Sequence, residues 1–376
     1  LNVEAAKLGM PIISFSTFKN ACQTPIIKAA ILQVNNKQQF NNTIKGTTIR
    51  KKPQYAGDVW YFDGTPTSLN FIDDKGKIQR MYISALVDGS TLKCVGWHQS
   101  LTEDRFSFLK SLEMAVKQTG YLPHEIVIDN ASFVNTDEFK ALEFKLLNLG
   151  CTIRKAKVGN PEDKSPIERF WRTIQSEYFR YVPGNMGEGI KSRSNRARVS
   201  DKVLSEQNKR SNLLNESQCR TLVNLLICKY NQGELANNKK IPNQLFEKSE
   251  KPNAFNVSIE QRVWIFWNER TEKVSRDIVT LTIKGNTHKY RVWKHEDHIR
   301  LTGKKVKVRY DETDLSTIYL FNTETDQYEC ECKQVVEIHG TKAGQTEELK
   351  LDAIKQSKHV SSIHDFMDRK ITKINK

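Results

Sequence analysis

Apolar positions along this chain change their period twice, and the changes divide it into regions. Residues 1–32 carry short helical patterns, and AAKLG followed by SFSTFKNAC has the small-residue, glycine-turn, Ser-capped character of a helix-turn-helix half, so a remnant of a DNA-binding region is expected there. Residues 33–56 are rich in Asn, Gln and Lys, lack apolar periodicity and read as a basic linker. From residue 57 strand and helix patterns alternate. Strands are predicted at 59–63, 80–87, 92–98 and 125–129, with a short one at 151–155. Helices are predicted at 102–118, with Phe106, Leu109, Leu112 and Val116 on one face, at 136–148 and at 166–181. Three successive strands followed by strand-helix alternation predict a mixed five-stranded sheet with flanking helices. A helical extension, with Cys219, Leu222, Leu226 and Tyr230 on one face at 216–231, carries this α/β domain to about residue 250.

Beyond residue 256 the period shortens to two. RVWIFW, DIVTLTI, HKYRVW, KVKVRY, TIYLFN and QYECEC, separated by turn sequences such as KGN and DETD, predict six short strands and a small all-β barrel over 256–340. The charged tail, 341–376, places Ile363, Phe366, Met367 and Ile371 on one face of a last helix, which caps the barrel or docks a partner. Gly184, Gly187 and Gly189 lie in a polar, basic stretch with no strand before them and no Gly-Lys-Ser/Thr after, so a nucleotide phosphate loop is not expected.

Charge alters this picture more than size does. A total of 59 Lys and Arg against 44 Asp and Glu leaves a net charge of +15, and a chain this basic points to a polyanionic partner, nucleic acid first. There is no run of 18 apolar residues, and LNVEAAKLGM lacks the apolar core of a signal peptide, so no membrane role is expected and a cytosolic location is. A start at Leu1 in place of Met suggests a fragment or trimmed product. The seven cysteines include no C-x-x-C pair, which supports neither a disulfide framework nor a zinc finger. Cys330 and Cys332 read as neighbours on one strand face, and His295 and His298 of HEDH as polar loop surface, so structural zinc is not expected.

Three acids stand out against this background. Asp63 follows the apolar run VWYF, Asp129 follows EIVI, and Glu168 falls in the first turn of a helix opened by Pro166. Singly, Asp63-Gly64 and Asp129-Asn130 are ordinary turn starts, and Glu168 suits a helix N-terminus or an ion pair. Together, two strand-end acids and one helix acid in a basic α/β unit are the hard oxygen ligands that Mg²⁺ or Mn²⁺ prefers. Asn130 orients such a site or closes a turn.

The phrases VWYFDGT, SALVDGSTLKCVGWHQS, VIDNASF and KSPIERFWRTIQSEYF resemble, in that order, the motifs of the transposases and retroviral integrases whose catalytic core is the D, D, E class of the ribonuclease H-like fold. The likeness covers about residues 57–181, and the barrel after an extra helix further resembles the phage Mu transposase branch. The usual glycine after Asp-Asn is Ala131 here, and the usual Lys-Gly ahead of the third acid is Lys164-Ser165-Pro166, which alters backbone freedom and not the ligands. The resemblance implies a bacterial, nucleoid-associated DNA transposase that nicks transposon ends and joins them to target DNA. It implies two Mg²⁺ or Mn²⁺ ions held by Asp63, Asp129 and Glu168 as the catalytic residues. It also implies self-association into a synaptic multimer and an AAA+ ATPase that selects target DNA. Lys164, Arg169 and Arg172 are candidates for DNA phosphate contacts or are solvated helix charge. Lys304, Lys305 and Lys307 offer the barrel a cationic face for DNA or merely protect a strand edge. The rival readings are a ribonuclease H-like nuclease that cuts without joining and a catalytically silent DNA-binding relative.

Overall fold

The computed structural model describes residues 2–36, 39–40, 43–44, 52–102, 105–129, 132–156, 161–187, 200–235, 239–335 and 347–374. Asn130, Ala131, Gly189, part of the predicted linker and the start of the tail lie outside them. The chain forms two compact units, Leu1–Lys52 and Pro53–Lys376. The first holds three helices, α1 (Asn2–Lys7), α2 (Phe15–Gln23) and α3 (Pro25–Asn35). Ser14 caps α2 by accepting from the Thr17 amide at 3.1 Å, and Pro25 opens α3. Neither α2 nor α3 buries a residue.

The second unit begins with β1 (Val59–Ile72), β2 (Ile78–Asp88) and β3 (Cys94–Ser100), a meander, followed by α4 (Arg105–Thr119), β4 (Glu125–Ile128), α5 (Asp137–Asn148) and β5 (Thr152–Lys155). The sheet order is β3-β2-β1-β4-β5, with β1 antiparallel to β2 and parallel to β4, and β4 parallel to β5. This five-stranded mixed sheet with helices on both faces is the ribonuclease H-like arrangement. Strand alternation sends Trp60, Phe62, Ile126 and Ile128 to one face, under α4 and α5. Tyr61, Ala85 and Val87 go to the other face, under α6 (Ser165–Thr173), which continues into a π turn over Ile174–Tyr178. Between these later helices and the barrel lie α7 (Asp201–Gln207), α8 (Glu216–Gln232), which joins α6 on that second face, and α9 (Pro242–Lys248). Full burial of each large apolar side chain in these layers is worth about 1.5–3 kcal/mol. Gly96 allows α4 to approach: a Cβ there would meet the Ala115 backbone nitrogen at 2.7 Å.

The face predicted for the 102–118 helix is turned: Phe108, Leu112, Ala115 and Val116 are buried, whereas Phe106 is exposed. A larger correction concerns RVWIFW, predicted as the first barrel strand. It lies in a helix, α10 (Ile259–Phe266), begun by a capping box in which Ser258 accepts from the Gln261 amide and the Gln261 side chain accepts from the Ser258 amide. Val263, Ile265 and Phe266 are buried on it, the last two in the core beneath α4 and α5. The first barrel strand is instead β6 (Asn268–Lys273), NERTEK, which has no apolar residue to announce it.

The remaining barrel elements are β7 (Ile278–Ile283), β8 (Asn286–Arg291), α11 (His295–Leu301), β9 (Lys305–Asp311), β10 (Asp314–Asn322) and β11 (Tyr328–Gln334), followed by a C-terminal helix, α12 (Glu347–Ile374). HEDH is thus in helix α11 and not in a loop. The antiparallel order is β6-β9-β10-β11-β8-β7, and across the nearly closed seam Arg270 of β6 donates to the Thr282 carbonyl of β7 at 2.5 Å. Cys330 and Cys332 are free thiols inside the barrel core with Val308, Ile318 and Leu320. No helix among the described residues is long and apolar enough to cross a membrane.

Candidate active site

Asp63 does not begin a turn. Strand β1 runs on to Ile72 because β2 pairs with it beyond that point, and Asp63 lies opposite Ala85. The parallel pairing with β4, however, stops at Tyr61 opposite Val127. Two residues further along both strands the register brings Asp63 beside Asp129, the first residue after β4. Asp63 shares its face of β1 with Tyr61, the face that α6 covers.

Between the two acids stands Lys164. Its Nζ lies 3.0 Å from Asp63 Oδ1 and 3.1 Å from Asp129 Oδ2. Lys164 ends the 3₁₀ turn Pro161–Lys164 and caps the start of α6. That turn is anchored by Asp163, whose side chain is 3% exposed and accepts from Arg154 of β5 at 2.8 Å, while Arg154 also donates to Glu125 of β4 at 2.9 Å. The Arg154–Asp163 link was not visible in the sequence, since it depends on β5 lying at the sheet edge.

Burial pushes the Asp63 carboxyl up; the Lys164 charge and hydrogen bond oppose this, Asp129 reinforces it, and the net direction is upward. Burial alone would lower the Lys164 ammonium, but Asp63 and Asp129 together outweigh it and hold it above its ordinary value. Lys164 is therefore firmly charged, while Asp63 is incompletely compensated. The Asp129 side chain is 65% exposed and gives the pair its open side.

Glu168 lies in the first turn of α6, four residues after Lys164, and is exposed, as are Arg169 and Arg172. Ile167, Phe170 and Trp171 are buried and fix the helix to the sheet. The structure thus draws Asp63 and Asp129 onto one ammonium, but Asp63, Asp129 and Glu168 do not each bring an oxygen within 4.8 Å of the other two. On the barrel, Lys304 and Lys305 are exposed. Lys307 is committed to Asp326 at 3.0 Å, in a cluster with the buried Arg309, which contacts Asp326 at 2.7 Å and Glu269 at 2.6 Å. Trp264 of α10 donates to the same Asp326 at 2.6 Å, and Lys145 of α5 donates to the Trp264 carbonyl at 2.7 Å. These bonds tie barrel and sheet domain together.

Comparison with known proteins gives one family match and several similar solved structures. Residues 263–331 match the family described as Mu transposase, C-terminal. No curated protein matches the sequence. Among solved structures, similarity is found to a chain of the simian T-cell lymphotropic virus intasome in complex with a PP2A regulatory subunit, at 15% identity, covering 83% of this chain and 96% of that one, with a TM-score of 0.32. The catalytic core domain of BIV integrase is similar at 11% identity, covering 51% of this chain and 95% of that one, TM-score 0.30. The HTLV-2 integrase catalytic core domain in complex with magnesium is similar at 13% identity, covering 53% and 100%, TM-score 0.32. The ribonuclease H-like assignment rests on strand order and direction within the sheet. The match to the Mu transposase C-terminal model falls on the barrel and the end of α10, over residues 263–331, and does not reach the sheet domain.

Proposed function

We propose that the chain is a DNA transposase, a polynucleotidyl transferase that nicks transposon ends and joins their 3′-hydroxyls to target DNA. The observation that carries this reading is the convergence of Asp63 and Asp129, from adjacent strands, on one cation. Two hard carboxylates that already hold a positive charge suit Mg²⁺ or Mn²⁺, with Glu168 as a third oxygen donor from α6. A bound pair of such ions would supply the charge that stabilises attacking and leaving oxygens of an in-line displacement.

The chain's own residues do the rest. Asp63 is fixed by strand pairing with β2 and close-packed neighbours, so it holds its position without reorganisation. Lys164, released from Asp63 and Asp129 when they take an ion, becomes a cation for a DNA phosphate, beside Arg169 and Arg172 on the same helix. Exposed Lys304 and Lys305 extend the cationic surface to the barrel. In the first displacement a water oxygen bonds to phosphorus and the 3′-oxygen of the transposon strand leaves. In the second, that 3′-oxygen bonds to a target phosphorus, and the target's own 3′-oxygen leaves. Self-association on paired ends and an AAA+ ATPase partner belong to the same proposal through the family likeness.

The test is cleavage of labelled intact ends and strand transfer of labelled, pre-nicked ends of its own element by the purified chain, with a target plasmid and Mg²⁺ or Mn²⁺. Joined product is expected, and Asp63→Asn, Asp129→Asn and Glu168→Gln should each reduce it by on the order of a thousandfold or more while DNA binding persists. Cleavage without joining would make the chain a nuclease, and binding without either a silent DNA-binding protein.

A further inference from the structure

A second constellation lies far from the acids in sequence, where the C-terminal helix meets the barrel. His295 and His298 sit three apart on α11, so they share one side of that helix. His359 comes from α12, and its side chain is 8% exposed. It stacks on His295 with ring centroids 4.6 Å apart and packs edge-on to Trp293 at 5.1 Å. One ring nitrogen from each of the three lies within 4.8 Å of the other two, and among the described residues no other group of His, Cys, Asp or Glu does this.

One detail distinguishes this group from ordinary packing. The Nδ1 atoms of His295 and His298 are buried and have no hydrogen-bond partner, although His295 uses its Nε2 on Ser362 at 2.9 Å. A buried ring nitrogen with nothing to bind is costly unless something occupies it.

We propose that His295, His298 and His359 form a site for a divalent transition ion, Zn²⁺ by its chemistry, that pins the C-terminal helix to the barrel. Three imidazole ligands favour Zn²⁺ over Mg²⁺, so the site is independent of the carboxylates of the sheet domain. Zn–N distances of about 2.0–2.1 Å would place the nitrogens roughly 3.4 Å from one another, so binding requires the rings to turn from the stacked arrangement. The fourth position is left to water or to Asp277, whose Oδ2 is 3.9 Å from His359 Nε2. Asp277 also pairs with Arg291 at 2.8 Å, which offsets the nearest fixed positive charge. Polar ties of α12 to the barrel among the described residues include Glu296 with Lys370 at 2.8 Å and Arg291 with Gln356 at 3.4 Å, and a metal bond would add to them.

The full chain, stripped with chelator, is titrated with Co²⁺ and followed by visible absorption. One equivalent should produce the intense bands of four-coordinate, nitrogen-ligated Co²⁺, and Zn²⁺ should abolish them. His298→Gln and His359→Gln should each lose the bands, while Asp63→Asn should keep them, which separates this site from the acidic one. Zn²⁺ should also slow hydrogen exchange over 347–374. Absence of the bands in the parent chain, or their survival in both histidine variants, would overturn the proposal and leave the three rings as packing.

Discussion

Asp63 and Asp326 are both withdrawn from water and both face cations, yet their carboxyls move in opposite directions. At each, burial is the largest influence and favours the neutral acid. Asp326 receives donors from Arg309, Lys307 and Trp264, which together pull its pKa below the ordinary value. Asp63 has one ammonium, which it shares with Asp129, and the like charge of Asp129 adds to the effect of burial. Around Asp326 the charges of Arg309, Lys307, Glu269 and Asp326 cancel. Around Asp63, two carboxylates and one ammonium leave a negative charge over, and a divalent ion in place of Lys164 would cancel it. A finished ion cluster holds two domains together, and an unfinished one is suited to take a ligand.

The largest effect is expected from breaking the finished cluster. Arg309 is 1% exposed, and its guanidinium also lies over the Phe321 ring, 4.1 Å from the centroid. Arg309→Met takes the buried cation from between Asp326 and Glu269, which are themselves partly open to solvent, and unfolding in urea should show a loss of about 2–4 kcal/mol. Adding Asp326→Asn to that variant should recover part of the loss, because it removes the uncompensated charge. A loss under about 1 kcal/mol in the single variant would mean that water replaces the guanidinium, and the contrast between the clusters would fall.

Breaking the unfinished cluster should cost less. In metal-free chain, Lys164→Met removes two charge-assisted hydrogen bonds, but Asp129 is open to solvent, so a loss of about 1–2 kcal/mol is expected. The sharper reading comes from adding Mn²⁺. If Lys164 stands where an ion belongs, Mn²⁺ should raise the melting temperature of Lys164→Met more than that of the parent, since no ammonium has to be displaced. Equal shifts in both would make Lys164 a structural bridge and not a competitor.

Much of the sheet domain was legible because its strands are continuous apolar runs: β2, β3 and β4 fall where RMYISALV, LKCVGWH and EIVID predict them. Asp129 and Glu168 likewise occupy the strand end and first helical turn that local pattern assigns. Failures came where tertiary contacts override local pattern. RVWIFW has the composition of a strand, but the Ser258–Gln261 capping box and the apolar core beneath α4 and α5 make it a helix. NERTEK has no strand pattern, being held at one end of the barrel sheet by backbone pairing with β9. The seating of Lys164 between two acids depends on the parallel register of β1 and β4, and the meeting of His359 with His295 on a fold-back of the last helix. Neither leaves a local trace in sequence.

The finest test of the comparison is the titration of the two aspartates in the intact, metal-free chain, followed by carboxyl carbon NMR with Asp63→Asn and Asp326→Asn for assignment. Asp326 should titrate below the ordinary value of 3.8 and Asp63 above it. The consequences for stability have opposite signs. A depressed pKa means that the unfolded chain binds the proton more readily, so the Asp326 contribution is present above the ordinary value and is lost as pH falls through the folded one. A raised pKa means that the folded chain binds the proton more readily, so the Asp63 contribution is greatest in acid and declines as pH climbs from the ordinary value through the raised one. Mg²⁺ provides the decisive step: a cation on the pair should drive the Asp63 midpoint down towards that of Asp326 and leave Asp326 where it was. If Asp63 titrates below Asp326 without metal, the ammonium alone completes its cluster, and the charge left over at the strand ends no longer argues for an ion.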